Sequence, residues 1–362
     1  MIRTLSITTW SITLGAVPVF LLGALAVFVR DELGFSEAKL GVAASLYYLA
    51  SAVAAVPGGR LAERLGARWV IALAAAGTTV AMLGVALVAR SWPVLVAFMM
   101  LAGIANGHAL PATNLGLTQG IPAGRRGLAF GVKQSSGTVA TLLAGAAVPV
   151  IALTVGWRWA FAMLGVAGIP LIVWGIAGRI TNPRPRPGPR ERSPVPTGPL
   201  VLLAFAGTCG VIGGSSMAAF YVESAVAQGI GPGTAGTVLA AGAVLGVVAR
   251  TGWGWVGDHC GTAQFRVMGG LFLAGAVGFG LLSMAGSAAL LVIATALIFG
   301  LGWAWPGLYN FAVADRTPAA PAVATGVTGT GQFAGGIVGS VGFGVLLEQT
   351  SYRAAWLAVP RA

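Results

Sequence analysis

The chain has 362 residues, of which 57% are hydrophobic and 8% charged. Soluble domains carry about 25% charged residues, so an ordinary water-soluble enzyme is excluded and a polytopic helical membrane protein is expected. The net charge of +12 does not point to nucleic acid, because the Arg residues fall in short loops between apolar runs, a pattern that reports topology.

In chain order, apolar runs predict spans near 5–29, 40–58, 69–89, 94–118, 128–153, 158–178, 200–224, 235–254, 267–285, 288–312 and 322–346, with a last apolar stub from 354. The first run is long for a signal peptide and ten spans follow it, so it reads as a retained span. Fourteen Arg fall at the loops or helix ends on the side of the N-terminus, among them Arg60, Arg64, Arg68, Arg125, Arg126, Arg250, Arg266 and Arg316. Only Arg30, Lys39, Arg90, Arg158 and Arg353 fall on the other side, which predicts a cytoplasmic N-terminus in a multi-pass plasma (inner) membrane protein. Trp69, Trp92, Trp157, Trp159 and Trp253 lie near predicted span ends and read as headgroup anchors. Cys209 and Cys260 have no metal-ligand spacing and are expected to be free thiols.

The chain repeats itself at an offset of 195 residues. Residues 34–66 lie over 229–261, with Gly34, Gly41, Gly59 and Gly66 on Gly229, Gly236, Gly254 and Gly261, and Glu63 on Asp258. Further along, Gly107 and Pro111 meet Gly302 and Pro306, and Trp157-Arg158 meets Tyr352-Arg353. Between the copies, residues 181–199 hold seven Pro and four Arg, predicting an extended cytoplasmic tether or, as the alternative, an anionic-lipid or partner site. The domains are therefore expected at 1–180 (six spans), 181–199 (linker) and 200–362 (five spans and a partial sixth). By the same offset span 6 maps onto 353–373, so the twelfth span is expected to be cut short.

The segment GRLAERLGAR, 59–68, resembles the loop 2–3 signature of the major facilitator superfamily. Gly59, Leu61, Arg64 and Gly66 match, Glu63 replaces the usual Asp, and Arg68 adds a basic residue while Ala67 departs from the commoner Arg. GWVGDHCG, 254–261, is similar to the degenerate second copy in loop 8–9, with Gly254, Asp258 and Gly261 kept and His259 in the place of Arg. The resemblance implies an all-α, 6+6 parallel-repeat transporter fold whose halves rock about a midplane cavity. It also implies that the motif residues act in gating, with solvated loop charge as the alternative. Glycines permit the tight turn, and Glu63 and Asp258 can face helix N-termini and neighbouring Arg.

Ionisable groups inside a span are functional candidates by default. His108 lies in span 4, about 21 Å from its outer end, and maps onto Trp303 in span 10. Each stands three residues before a Pro. The resemblance implies that spans 1, 4, 7 and 10 line the cavity, making His108 and Trp303 facing candidates with Asn106, Asn114, Tyr309 and Asn310 nearby. His108 suits a substrate hydrogen bond or a proton, or simple helix packing. Lys133, within GVKQSSG of span 5, lies about 9 Å from the inner boundary and either snorkels to water or meets an organic anion, with Gln134 beside it. Glu223 ends span 7; solvation at the outer interface and proton coupling are both open to it. The glycine-rich stretch 331–344 lacks the strand and Lys-Ser/Thr of a phosphate loop and reads as close helix packing.

The expected function is secondary transport of a small organic solute by alternating access, as an anion symported with protons. Drug or metabolite efflux by antiport is the alternative, disfavoured because span 1 lacks the acidic residue that superfamily antiporters commonly carry there. A non-transporting remnant is a further alternative. An intramembrane enzyme is not expected, because neither paired acids nor a metal cluster is present. Neither a cofactor nor a metal is expected, and the expected partners are the solute, protons and membrane lipids, with no nucleic acid and a monomeric chain.

Overall fold

A computed structural model describes residues 2–121, 129, 132–177, 197–259, 264–316 and 321–359. Among these residues, eleven helices are long and apolar enough to cross a membrane. They are Ile2–Ala24, Glu37–Ala55, Ala67–Leu87, Trp92–Leu117, Val132–Val155 and Trp157–Ile176, then Gly198–Ala227, Pro232–Trp253, Phe265–Leu282, Ala288–Tyr309 and Thr328–Gln349. These are spans 1 to 11 below. The protein is a multi-pass membrane protein, and no strand occurs among the described residues.

The internal repeat governs where helices begin and end. Glu37 and Pro232 each open a helix, Leu87 and Leu282 each close one, and Trp157 and Tyr352 each open the next, every pair being 195 positions apart. Gly34 and Gly229, equivalent in the repeat, adopt φ of 65° and 86°. That left-handed conformation stops one helix and releases the chain for the next, and glycine takes it without a Cβ penalty. Serines complete the helix starts: the Ser36, Ser287 and Ser351 hydroxyls accept from the backbone N–H of Lys39, Leu290 and Ala354.

Apolar side chains gain little by leaving lipid for one another, so close packing holds these helices together. The two sets of spans meet firmly in the half of the molecule away from the N-terminus, called here the far end. Gly23 of span 1 lies against the backbone of Ala218 in span 7, and Gly145 of span 5 lies against span 8, where a Cβ would come within 2.8 Å of the Gly236 carbonyl. Spans 2 and 11 join through the Ser45 hydroxyl, which donates to the Ile337 carbonyl at 2.9 Å. Over these contacts lies a charged lid. Arg30 pairs with Glu37 at 2.8 Å and, across the two sets, with Glu223. Ser36 donates to Glu348 at 2.8 Å, again across the two sets.

Three expectations are corrected. Glu223 is not solvated at an interface: it is 6% exposed, because Arg30 from the other set reaches it. Arg250, expected as a charge at an inner loop or helix end, is buried, 9% exposed, near the end of span 8, whose helix runs on to His259. Trp157, at the end of its span, is buried rather than turned to lipid, its indole donating to Glu32 at 2.7 Å beside Arg158. The last helix, Tyr352–Ala358, seats Trp356 against Phe343 and Phe279. Of the proposed linker, residues up to 196 lie outside the described residues, as do Cys260 and Gly261.

Candidate functional site

Two spans break where they face one another across the seam between the sets. Span 5 is helical over 132–134, turns at Ser135 and resumes as Ser136–Ala147. Span 10 runs Ala288–Leu297, widens into a π turn over Ile298–Gly302, leaves the helix at Trp303 and Ala304, and restarts as Trp305–Arg316. Pro306, second in the restarted helix, has no N–H to offer the preceding turn, which accounts for the break. Its repeat equivalent Pro111 lies inside an unbroken helix, Trp92–Gly120. The duplicated proline therefore opens only the second copy.

Both breaks turn a carbonyl to Arg250. Its Nε donates to the Trp303 carbonyl at 3.0 Å and its Nη1 to the Gln134 carbonyl at 2.8 Å, with the guanidinium 5.5 Å from the Trp303 ring centre. The residue before Gln134 is Lys133, 3% exposed, whose Nζ donates to Asn114 Oδ1 of span 4. Lys133 therefore does not snorkel to water. Two cationic side chains, one from each set, thus meet neutral oxygens, Arg250 across the seam and Lys133 within its own set, one residue from the Gln134 carbonyl. Among the described residues neither has a carboxylate partner: the ion pairs are those of Arg30, Arg90 and Arg158 at the far end. One turn farther along span 5, Thr138 is fully buried and its hydroxyl has no hydrogen-bond partner among the described residues. Beyond Trp303 the seam holds a narrow cavity lined by Phe20 and Thr141 from one set and by Met217, Leu239 and Phe299 from the other.

Not all of the expected residues gather there. Trp303, Lys133, Asn114 and, through its backbone, Gln134 do. His108 is not brought to Trp303; it packs on span 2, where a Cβ on Gly58 would fall 2.6 Å from the His108 Cα, and its Nδ1 lies 2.7 Å from the Ile104 carbonyl. Asn106 is wedged between spans 1 and 2, with Nδ2 donating to Ser51 Oγ at 3.3 Å. The Tyr309 hydroxyl donates to the Leu203 carbonyl, on the same set as itself. Glu223 belongs to the far-end lid. Asn310 lies in a described helix, but its side chain is outside the described residues, as are those of Glu63 and Asp258.

In the loop 2–3 motif, Gly66 takes φ 86° to turn span 2 into span 3. Arg68 caps span 6: its Nε donates to the Gly175 carbonyl at 3.2 Å, Nη2 donates to Trp174, and the guanidinium lies over the Trp174 ring at 4.6 Å. Gly58 is the glycine under steric compulsion, since a Cβ on Gly59 would meet only Pro111 at an ordinary 3.6 Å. Leu61 packs within the same set of spans, Arg64 is exposed, and Gly254 lies within the span 8 helix.

The sequence reading missed Arg250 and Thr138. Arg250 was counted with the charges at loops and helix ends, although Gly252–Gly257 continues the apolar helix beyond it. Its repeat equivalent is Ala55, so the duplication carries no echo of it.

Comparison with known proteins bears on the whole chain. The family model described as Major Facilitator Superfamily matches residues 2–357. A probable sulfoacetate transporter of Cupriavidus necator is 28% identical over 146 residues, covering 40% of this chain and 33% of that protein. The matched stretches span about a third of the curated relatives' length. Among solved structures, a bacterial homologue of the human lysosomal transporter Spinster, inward-facing and unoccupied, superposes with TM-score 0.75 at 16% identity, covering 99% of this chain and 92% of that one. A D-xylose-proton symporter superposes with TM-score 0.76 at 14% identity, covering 99% and 96%. These likenesses are likenesses of fold.

Proposed function

The chain belongs to the Major Facilitator Superfamily, a family of transporters rather than enzymes, and on that premise we propose that it carries a small organic anion across the membrane by alternating access. The observation that supports this reading is Lys133, a buried cation answered by an amide oxygen and by no described carboxylate. A buried charge without a counter-charge is expensive, and a bound anion supplies the missing one. The relative named for sulfoacetate, itself a small organic anion, is consistent with that class.

The bundles 1–180 and 200–362 rock about the seam, joined by 181–199. With the N-terminus in the cytoplasm, the far-end lid is the outer gate of a plasma-membrane carrier, and the described conformation is sealed outward by Arg30–Glu223 and Ser36–Glu348. Protons accompany the anion, and Glu223 is the carboxylate placed to exchange them when the lid parts. The motif around Gly59, Glu63, Arg64 and Asp258 serves the opposite gate.

Uptake into proteoliposomes tests this directly. Lys133→Ala is expected to abolish saturable uptake of small organic anions, sulfoacetate included, while the purified variant still folds. Normal anion uptake in that variant would end the proposal. The apolar cavity wall of Phe20, Met217, Leu239 and Phe299 favours a second reading, efflux of lipophilic solutes. Thermal stabilisation by lipophilic cations but not by anions would select it.

A further inference from the structure

The geometry points to a binding site for a small organic dianion, formed by Lys133 from one set of spans and Arg250 from the other. The inference rests on the anion reading above and adds to it the second cation, the valence of the solute and the joining of the two halves through it.

Arg250 Nη1 donates to the carbonyl of Gln134, the residue directly after Lys133, which brings the guanidinium to the chain segment that carries the Lys133 ammonium. Its other recorded partners, the Trp303 carbonyl and ring, are also uncharged. Arginine presents five N–H donors in a planar fork. Two go to backbone carbonyls here, one by Nε and one by Nη1, so among the described residues Nη2 has no hydrogen-bond partner. Thr138, one turn from Gln134 on the seam with span 8, keeps a fully buried hydroxyl without a partner. The seam thus offers two charges and a hydroxyl donor, and what they lack is acceptor oxygen bearing negative charge.

Valence follows from charge balance. A monoanion neutralises one of the two cations and leaves the other buried without a counter-charge. A solute with two acidic groups, each a carboxylate, sulfonate or phosphate, neutralises both. The carbonyls that now hold Arg250 come from the breaks in spans 5 and 10, one on each side of the seam. A dianion that takes the guanidinium from the Gln134 carbonyl exchanges a neutral tie between the halves for an ionic one through the solute. This makes occupancy felt by both bundles.

The test is a thermal-shift titration of the purified full chain near neutral pH. Malonate and succinate are compared with acetate and propionate, and with a lipophilic cation. The wild type is expected to respond to the dianions at concentrations about tenfold or more below those of the monoanions. Arg250→Gln is expected to remove that preference while leaving a monoanion response through Lys133, and Arg250→Lys to restore part of it. Equal wild-type responses to mono- and dianions would overturn the inference without any variant, leaving the anion reading intact. An undiminished preference in Arg250→Gln would overturn the role of Arg250. Response to the cation alone would overturn the anion reading itself, and this inference with it.

Discussion

Two groups of charge divide the molecule. At the far end, Arg30 is shared between Glu37 and Glu223, and Arg158 is held by Glu32 and by carbonyls of span 3. At the seam, Lys133 and Arg250 meet only neutral oxygens among the described residues. Charges paired within the protein hold one conformation closed. Charges left unneutralised are a cost to the fold that a ligand can relieve. The same physics therefore separates a gate from a site, and stability measurements should separate them too.

The largest effect is expected at the lid. Glu223→Gln removes one of the two carboxylate partners of Arg30 and leaves Glu37 as the other, so a loss of about 2 kcal/mol is expected. A lower melting temperature is expected, together with faster labelling, from the far side, of a cysteine placed at Met217. Unchanged labelling would show that the pair is not the closure. Lys133→Met should do the reverse of a typical buried substitution. It replaces an uncompensated cation by an apolar side chain of similar length, so the melting temperature should hold or rise while anion uptake is lost. A clear destabilisation would mean that Lys133 is structurally paired, and the contrast between the two regions would fail.

Smaller effects lie at the edges. Arg68→Lys keeps the charge but loses the planar stacking on Trp174 and the fork on the span 6 carbonyls. A loss of about 1 kcal/mol is expected, with transport kinetics little changed. Smallest is Glu32, in the short helix Ala26–Leu33 at the far end. The side-chain hydrogen bond from Arg158, with that from Trp157, holds its carboxyl below the usual carboxylate range against an opposing effect of burial. A depressed value contributes stability that is present above the unfolded-state pKa and is lost as pH falls through the folded-state value. Glu32→Gln should flatten that acid-side loss of melting temperature and leave neutral-pH uptake unchanged. Salt should weaken the contribution in the native chain, because Glu32 is substantially exposed.

Much of the architecture was legible along the chain. Apolar run length marks eleven spans, because lipid demands about twenty apolar residues per crossing. The repeat of Gly34 and Gly229 marks equivalent turns, because both take positive φ. Lys133 stood out for a similar reason, as a charge within an apolar run. Arg250 did not, because a cation near a span end reads as topology until the helix is seen to continue to His259. Glu223 was misjudged on the same ground, since its partner Arg30 lies on the other set of spans.

Spacing and composition thus suffice for how many times the chain crosses and where it turns, since each depends on local hydrophobicity and backbone freedom; the family fold was implied by the resemblance of residues 59–68 and 254–261 to a superfamily signature. Whether a charge meets a counter-charge or only a neutral oxygen depends on neighbours more than a hundred residues away, such as Glu223 for Arg30 and the Gln134 carbonyl for Arg250. Those neighbours are set by how the two sets of helices pack. In a low-dielectric interior, that packing is what separates a lid from a binding site.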